Sequence, residues 1–289
     1  MASIRQLKSR IRSVKSTKQI TKAMEMVAAS KMRRAQANTH ASAPYTKVAN
    51  ELLSFLATQD EVERHPLFER RTVKNRMIIV IASDRGLVGA YNSNVLKSYT
   101  SSLRDDSKQS IGSQTVAVGR KASRFVTKLK DNEVIGVYEN LDDRPTGRDV
   151  RVIVDGAISA FKEGRVDAVD VVYTEFKNAI EQTVMTKRIL PAGYTYTDVS
   201  PQVSQARYEP SPEVVLDAVA YRLIEAQVFQ ALLDARASEY SMQMVAMKSA
   251  TDNASDIADD LTVEMNKVRQ AAITQELAEI SGGVEAMKD

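Results

Sequence analysis

A long stretch without proline or glycine near the end of the chain places the strongest constraint on the fold. Neither residue occurs from Glu213 to Ser281, a run of 69 residues. At about 1.5 Å per residue, one helix over this run would be on the order of 100 Å long. That length is typical of a coiled coil or an extended assembly element. Ser211 and Pro212 supply a helix start, and Gly282-Gly283 predicts its end.

Apolar residues at helical spacing predict that this helix packs against a second long helix at the start of the chain, because neither stripe can remain in water. The C-terminal stripe repeats every ~3.6 residues, as on a nearly straight helix. It consists of Ala254, Ile257, Leu261, Met265, Val268 and Ala272, and continues on an adjoining face with Ile273, Leu277, Ile280 and Val284. The N-terminal stripe consists of Ile4, Leu7, Ile11, Val14, Ile20, Met24 and Val27, on a helix that reaches about Leu56.

The charge distribution supports the same pairing of the two terminal segments. Residues 1–40 contain ten Lys or Arg and one acid, a net charge of +9. Residues 250–289 contain nine acids and three bases, a net charge of −6. An antiparallel coiled coil would bring the two segments together, whereas on charge alone each could equally be a separately solvated face.

The middle of the chain has the pattern of an α/β domain. Met77–Ala82 and Thr115–Val118 are apolar runs of the kind found in buried parallel strands. The remaining predicted elements are helices over 120–129 and 149–162 and a strand pair over 168–176 and 183–190. Ser98–Ser113 is interpreted as a polar surface segment. The predicted fold is therefore α/β plus a long antiparallel coiled coil, with a Rossmann-like domain at 75–210 inserted between coiled-coil helices at 1–57 and 211–289.

The amino-acid composition argues against several kinds of functional site and segment. The chain has no cysteine and two histidines, His40 and His65, so disulfides, thiolate metal sites and a histidine-based triad are not expected. No apolar stretch approaches 18 residues, so a membrane-spanning helix is not predicted. The basic start has no apolar core of a signal peptide, although a mitochondrial presequence would share its Arg-rich, acid-poor character.

Two features could carry catalysis or phosphate binding and a third could bind nucleic acid, but each has an observation against it. Ser83–Asn92 follows the first strand and contains two glycines, as phosphate-binding loops do, but it has neither GxxxxGK[ST] nor GxGxxG, and a tight turn is favoured. The acid pairs Asp142-Asp143 and Asp259-Asp260 lie among loop or solvent-face residues, with no sign of a nucleophile beside a base. The basic N-terminal helix could bind nucleic acid, but it has no aromatic residue before Tyr45 to stack on bases.

Motifs in order along the whole chain resemble the γ subunit of F-type ATP synthase. The segment 20–32 (ITKAMEMVAASKM) resembles the N-terminal signature of that family, and 83–87 (SDRGL) resembles a second block. The C-terminal block is matched by 244–248, 250–254 and 266–277, followed by Gly282-Gly283. Under this resemblance the basic start is the mature helix rather than a removable leader.

The resemblance implies a rotating central stalk rather than an enzyme. The coiled coil would penetrate the α₃β₃ hexamer, and the α/β domain would form a foot that sits on the c-ring and binds ε. Proton flow would turn the ring and this chain with it, while catalysis would belong to α and β. No catalytic, cofactor-binding or metal-binding residue is expected, and no nucleic acid. The chain would be a peripheral membrane protein on the cytoplasmic face of the bacterial membrane, attached only through the complex.

The resemblance also implies contact residues. Arg269, Gln270 and Thr274 match the polar group by which the family's C-terminal helix catches a β-subunit loop, and Met24 matches a position facing a lower β lever. Tyr208 and Glu209 match foot residues that meet the polar loops of the c-ring. Val88 stands where many relatives carry Cys, and no cysteine-bearing insert is present, so thiol regulation is not expected.

Two other classes remain open at this point. A nucleotide-dependent enzyme would require tight mononucleotide binding by the isolated chain. A DNA-binding coiled-coil protein would require duplex affinity with a steep salt dependence.

Overall fold

The computed structural model describes residues 3–58, 62, 65–129, 132–194, 198–204 and 212–286. Side chains are described for these residues except at 202, 204, 212–215, 217, 218 and 282–286. The elements in chain order are α1 (Ile4–Leu56), β1 (Asn75–Ile81), α2 (Tyr91–Lys108), β2 (Gly112–Val118), α3 (Arg120–Val126), β3 (Glu133–Tyr138), α4 (Gly147–Lys162), β4 (Ala168–Phe176), β5 (Gln182–Leu190), α5 (Pro201–Ser204) and α6 (Pro212–Ala286).

The chain forms two compact units, and both long helices contribute to each. Unit 1 contains residues 1–28 and 244–289, and unit 2 contains residues 29–243. The predicted fold class, an α/β domain combined with long N- and C-terminal helices, is confirmed. The division into segments 1–57, 75–210 and 211–289 stays a prediction.

Unit 2 is built on a five-stranded sheet in the order β3-β2-β1-β4-β5. The pairs β1–β2, β1–β4 and β2–β3 are parallel, and β5 joins β4 as an antiparallel edge strand. The predicted strands and the helix over 149–162 are present with small shifts at their ends. Strand β3 was missed by the prediction, and the polar segment Ser98–Ser113 contains the second half of α2 and the start of β2, with Tyr99 and Asp106 buried.

Both faces of this sheet are covered, which explains why its central strands are continuously apolar. Ile79 and Ile81 of β1 point into a core formed with α1, α4 and α6, whereas Ile78 and Val80 point into a smaller core with α2 and α3. These side chains are at most 3% exposed. Complete burial of a side chain of this size contributes about 1.5–3 kcal/mol relative to exposure.

Unit 1 is an antiparallel coiled coil. Along each helix, the buried positions are alternately four and three residues apart. The pairing direction follows from two contacts: the hydroxyl oxygens of Thr21 and Thr251 are 2.8 Å apart, and the Lys18 ammonium donates to Ser255 Oγ at 2.9 Å. The most buried residues are Leu7, Ile11, Ala28, Met247, Thr251, Ala254 and Ala258. This spacing is the heptad repeat of 3.5 residues, which implies left-handed supercoiling rather than the nearly straight helix predicted.

The heptad repeat corrects part of each predicted stripe. Ile20, Val27 and Ile257 are 58%, 56% and 50% exposed, so these three side chains point away from the partner helix. The seam, the line of contact between the two helices, contains the smaller neighbouring residues Thr21, Ala28 and Ala258 instead. All three residues were misassigned for the same reason. The prediction used a repeat of ~3.6 residues, and positions chosen with that repeat gradually move away from a contact line that repeats every ~3.5 residues.

The end of α6 also differs from the prediction. The helix does not stop before Gly282-Gly283 but continues through both glycines to Ala286. Glycine inside a helix costs about 1 kcal/mol relative to alanine without forbidding the conformation. The adjoining apolar set Ile273, Leu277 and Ile280 is 49%, 60% and 64% exposed and contributes to no core in unit 1.

Candidate functional site

The loop that follows β1 is a self-contained turn. Leu87 and Gly89 adopt left-handed backbone with φ of 63° and 56°. The Ser83 backbone N–H donates to Asn92 Oδ1 at 3.0 Å, and the Ser83 hydroxyl donates to the Arg85 carbonyl at 2.6 Å. Because these side chains satisfy the loop's own backbone groups, the favoured interpretation of Ser83–Asn92 as a tight turn agrees with the geometry.

The carboxylate of Asp84 in this loop joins the carboxyl ends of three strands. Its Oδ1 accepts the backbone N–H of Arg120, just after β2, and the backbone N–H of Asn140, just after β3, both at 3.0 Å. Its Oδ2 lies 3.4 Å from the Arg236 guanidinium of α6. A single side chain thus connects β1, β2, β3 and a long helix.

Arg236 is the centre of the arrangement and is only 8% exposed. Its guanidinium donates to Glu239 Oε2 at 2.9 Å and to the Leu141 carbonyl at 2.9 Å. Burial opposes its charge, but Glu239 and Asp84 outweigh that effect and raise the pKa of Arg236. Burial raises the pKa of Glu239 as well, with Arg236 acting in the opposite direction. Burying such a pair requires free energy to remove water from both charges. Loss of one partner destabilises the fold further, because the other charge is then buried alone.

A second group of contacts ties the loop after β3 to both long helices. The Asp143 carboxylate pairs with the Lys31 ammonium of α1 and accepts the Tyr240 hydroxyl of α6. Lys31 also lies 5.3 Å from the centre of the Tyr240 ring. Burial works against the charge on Asp143, but the bonds from Lys31 and Tyr240 prevail and lower its pKa.

We call these six residues the carboxyl-edge network. Its members are Lys31, Asp84, Asp143, Arg236, Glu239 and Tyr240.

This network occupies the edge of the sheet where a doubly wound domain would hold a ligand. The space left between β1, β2 and α6 is a cavity of about 10 Å³, beside Gly119, Leu232 and Arg236. A cavity of this volume has room for about one water molecule at most. Gly119 closes the wall further, since its φ is +92° and an added Cβ would lie 2.1 Å from the Ala82 carbonyl oxygen. The crevice is therefore filled by helix α6 and has no room for a nucleotide.

The residues that the resemblance assigns to partner contacts do not form one site. Arg269, Gln270 and Thr274 are exposed on α6, and the Thr274 hydroxyl donates to the Gln270 carbonyl at 2.9 Å. Among the described residues Arg269 has no ion-pair partner. Met24 is partly buried on α1. Tyr208 and Glu209 lie outside the described residues.

The sequence carries one signal for the carboxyl-edge network. Charged residues occur inside the otherwise apolar and alanine-rich stretch 223–241, and Arg236 and Glu239 stand three residues apart on one helix face. Asp143, interpreted above as a loop acid, is instead tied to both helices. No group of three His, Cys, Asp or Glu in the described part of the chain is arranged to hold a metal ion.

Similarity to known sequences extends over the whole chain. A family model described as ATP synthase matches residues 3–287. The ATP synthase gamma chain of Staphylococcus saprophyticus is 37% identical over 289 residues, and the match covers 100% of both proteins.

Solved structures give the same correspondence in three dimensions. A chain from the OSCP/F1/c-ring structure of Euglena gracilis mitochondrial ATP synthase, in rotational state 3, matches with a TM-score of 0.71 and 20% identity over 98% of this chain and 94% of that one. A chain from the central stalk and c-ring of Tetrahymena thermophila mitochondrial ATP synthase matches with a TM-score of 0.59 and 26% identity, over 80% of this chain and 99% of that one. The likeness therefore includes the long helices as well as the sheet.

Proposed function

This chain belongs to the ATP synthase gamma family and is a central-stalk rotor subunit, and on that premise we propose that it couples rotation of a c-ring to the catalytic sites without a catalytic site of its own. The full-length likeness to a curated gamma chain carries the proposal. The α and β subunits would perform the chemistry, and each angle of the rotor would favour a different β conformation. A contact that is equal in all conformations shifts no equilibrium, so the rotor surface must be asymmetric.

The carboxyl-edge network supports a mechanical role for unit 2. Arg236 and Tyr240 of α6, together with Lys31 of α1, bind the loops that follow β1 and β3. Asp84 links these loops to the one after β2. A torque applied to the sheet would be passed to α6 through the buried contacts of Arg236, and to α1 through the partly exposed Lys31–Asp143 pair. Because α6 fills the crevice at this edge, the Rossmann-like sheet serves as a rigid body in this proposal.

The exposed residues of unit 1 are suited to contacts that change with rotation. The Arg269 guanidinium can donate two parallel bonds to a carboxylate on β, with Gln270 and Thr274 beside it. Met24 would contact a lower β lever. The outward apolar residues Ile273, Leu277 and Ile280 would be covered by the surrounding hexamer.

The remaining assignments concern the foot and its location. Tyr208 and Glu209 would meet the polar loops of the c-ring, and an ε subunit would bind the foot. No described helix combines the length and apolarity needed to cross a bilayer. We propose that the chain lies at the cytoplasmic face of a bacterial membrane and is attached there only through its partners.

Arg269→Leu tests the proposal in the reconstituted complex. Leucine keeps helix propensity while removing every hydrogen-bond donor. A charge-assisted contact contributes about 1.5–3 kcal/mol, so loss of one rotation-dependent contact should slow coupled turnover about ten- to a hundredfold. The measurement is proton-driven ATP synthesis by vesicles that carry the complex, with assembly checked by co-purification of α and β.

Lys267→Leu is the matched control, because Lys267 is an exposed cation two residues away on the same helix. It should assemble and synthesise ATP at nearly the unmodified rate. If Arg269→Leu also assembles and turns over like the unmodified complex, Arg269 is a solvated helix residue and its assignment to the β contact is wrong.

A further inference from the structure

A separate cavity of about 150 Å³ lies in unit 2, between edge strand β5, the segment that follows it, and the helices α1 and α6. This volume holds several water molecules or one ion of the size of phosphate. Gly193 fixes one wall, because its φ is +65° and an added Cβ would lie 2.5 Å from the Leu53 carbonyl oxygen of α1. The lining residues are Asn50, Leu53, Lys187, Arg188, Gly193, Tyr194 and Gln227.

Lys187 brings an incompletely paired positive charge to this cavity. Among the described residues, its ammonium has one hydrogen-bond acceptor, Asn50 Oδ1 at 3.2 Å, and no carboxylate within ion-pair distance. An ammonium group carries three N–H donors, so two remain for a ligand. Burial lowers the pKa of Lys187, while Asp234 and Glu175 act on it only at a distance.

The neighbouring arginine does not share this position. The Arg188 guanidinium is committed to the buried Asp170 carboxylate, to which it donates from two nitrogens. Its guanidinium carbon also lies 4.8 Å from the centre of the Tyr194 ring, and the guanidinium carbon of Arg70 lies 5.8 Å from the same ring. Of the two cations that line the cavity, Lys187 is therefore the one without a carboxylate at ion-pair distance among the described residues, although Asp234 and Glu175 act on it from further away.

Side-chain amides supply the other donors. Asn50 Oδ1 accepts both the Lys187 ammonium and the Gln227 amide, and the Asn50 amide nitrogen has no acceptor among the described residues, so it can donate to a ligand in the cavity. Gln227 is 7% exposed, so this amide pair is held in place by the helices around it. An enclosed ammonium with neighbouring amide donors matches the chemistry of a small oxyanion.

We propose that this cavity binds a small oxyanion with the size and charge of inorganic phosphate, held by Lys187 and the amide of Asn50. The site goes beyond the rotor function, and its failure would leave that function intact. An anion here would compensate the buried ammonium and connect β5 to α1 and α6. If the proposal is wrong, the cavity holds only water.

Isothermal titration of inorganic phosphate into the full chain, at constant ionic strength set with chloride, tests the proposal. Saturable binding to one site is expected, accompanied by a rise in the thermal unfolding temperature. Lys187→Met removes the ammonium and keeps the chain length, and it should weaken phosphate binding at least tenfold. Lys177→Met is the control, because Lys177 is an exposed lysine paired with Glu181 on the hairpin before β5 and should bind phosphate like the unmodified chain.

Asn50→Asp provides a second variant in case Lys187→Met does not fold. It places a carboxylate next to Lys187, so it should raise the thermal unfolding temperature without phosphate and abolish the further rise with phosphate. Absence of saturable phosphate binding to the unmodified chain would overturn the proposal and leave water as the occupant. Equal phosphate affinity in Lys187→Met or Asn50→Asp would overturn it as well.

Discussion

The two units bury their apolar side chains in different ways. In unit 2 the central strand β1 is covered on both faces, and large side chains such as Phe161 and Tyr99 are completely buried. In unit 1 the seam relies on small residues such as Ala254 and Ala258, while Ile257 remains half-exposed. Contiguous outward apolar surface indicates a binding role. Unit 2 therefore encloses two apolar cores, whereas unit 1 has a narrow seam and leaves Ile257 and Ile273 half-exposed.

The units also differ in how they use charge. The ionic residues of unit 1 lie mainly on its exposed faces, where salt screens them and each pair contributes little. In unit 2, Arg236 and Glu239 are 8% and 5% exposed and depend on each other. Substitutions of charged residues should therefore affect stability strongly in unit 2 and weakly in unit 1.

The largest expected effect is on Arg236. Arg236→Met would leave the Glu239 and Asp84 carboxylates without their cation, and loss of one member of a buried pair costs about 3–5 kcal/mol. We expect the free energy of unfolding of unit 2 to fall by that amount. Hydrogen exchange of the amides of β1 and β2 in the full chain measures it.

Two variants make this result specific. Arg222→Met removes an arginine whose side chain is 58% exposed and paired with Glu225, so it should cost less than about 1 kcal/mol. Arg236→Met combined with Glu239→Met removes both members of the closer pair and leaves only Asp84 without its cation, so it should recover much of the loss. Unchanged exchange in Arg236→Met would mean that the buried pair does not stabilise unit 2.

The next effect concerns Asp234, a buried carboxyl group of α6 in unit 2. Burial, with a contribution from Glu175, raises the pKa of Asp234 to about 7, while Gln230 and Lys187 act in the opposite direction. In the unfolded chain this carboxyl titrates near its ordinary value of about 3.9. The folded state therefore holds the proton more tightly, and its contribution to stability should decline as pH rises from about 4 to about 7.

Asp234→Asn should remove this decline. The variant should resemble the unmodified chain at pH 4 and exceed its stability at pH 8 by up to about 4 kcal/mol, because the amide cannot ionise. Thermal unfolding across pH in phosphate-free buffer measures the difference. Parallel pH profiles for the two proteins would contradict the assignment.

The smallest effect is expected at the threonine pair in the seam of unit 1. Thr251→Val alone removes one partner of the contact with Thr21 and should cost about 1 kcal/mol. Replacing both threonines by valine should be nearly neutral, because no hydroxyl is then left without its partner. Hydrogen exchange over residues 14–28 and 247–258 measures this coupling, and additive losses in the double variant would contradict it.

The sequence predicted most elements because their patterns are local. The continuous apolar run of β1 and the proline-free run of α6 each have one physical explanation. Strand β3 was missed because Gly136 interrupts a six-residue segment that alternates between exposed and half-buried positions at the sheet edge. The seam of unit 1 was partly misassigned because Ile257 is more apolar than Ala258, while close packing of two helices selects the smaller residue.

The carboxyl-edge network could not be predicted from the sequence. Arg236 and Glu239 have the spacing of an ordinary solvated helix pair, and only the fold shows that Asp84, more than 150 residues earlier, lies beside them. Asp143 likewise acquires its role from Lys31 and Tyr240, which are distant in the chain. The partner-contact residues were assigned by resemblance and stay predictions, since their chemistry depends on other subunits.

Rotation of a labelled chain in an immobilised complex is the most direct test of the rotor function. The chain has no cysteine, and the Lys108 side chain on α2 of unit 2 is 75% exposed, so Lys108→Cys provides one attachment point for an optical probe. With the α and β subunits fixed to a surface and ATP supplied, we expect stepwise rotation of the probe in one direction, stopping when ATP is removed. ATP hydrolysis by the assembled complex with a stationary probe would contradict it.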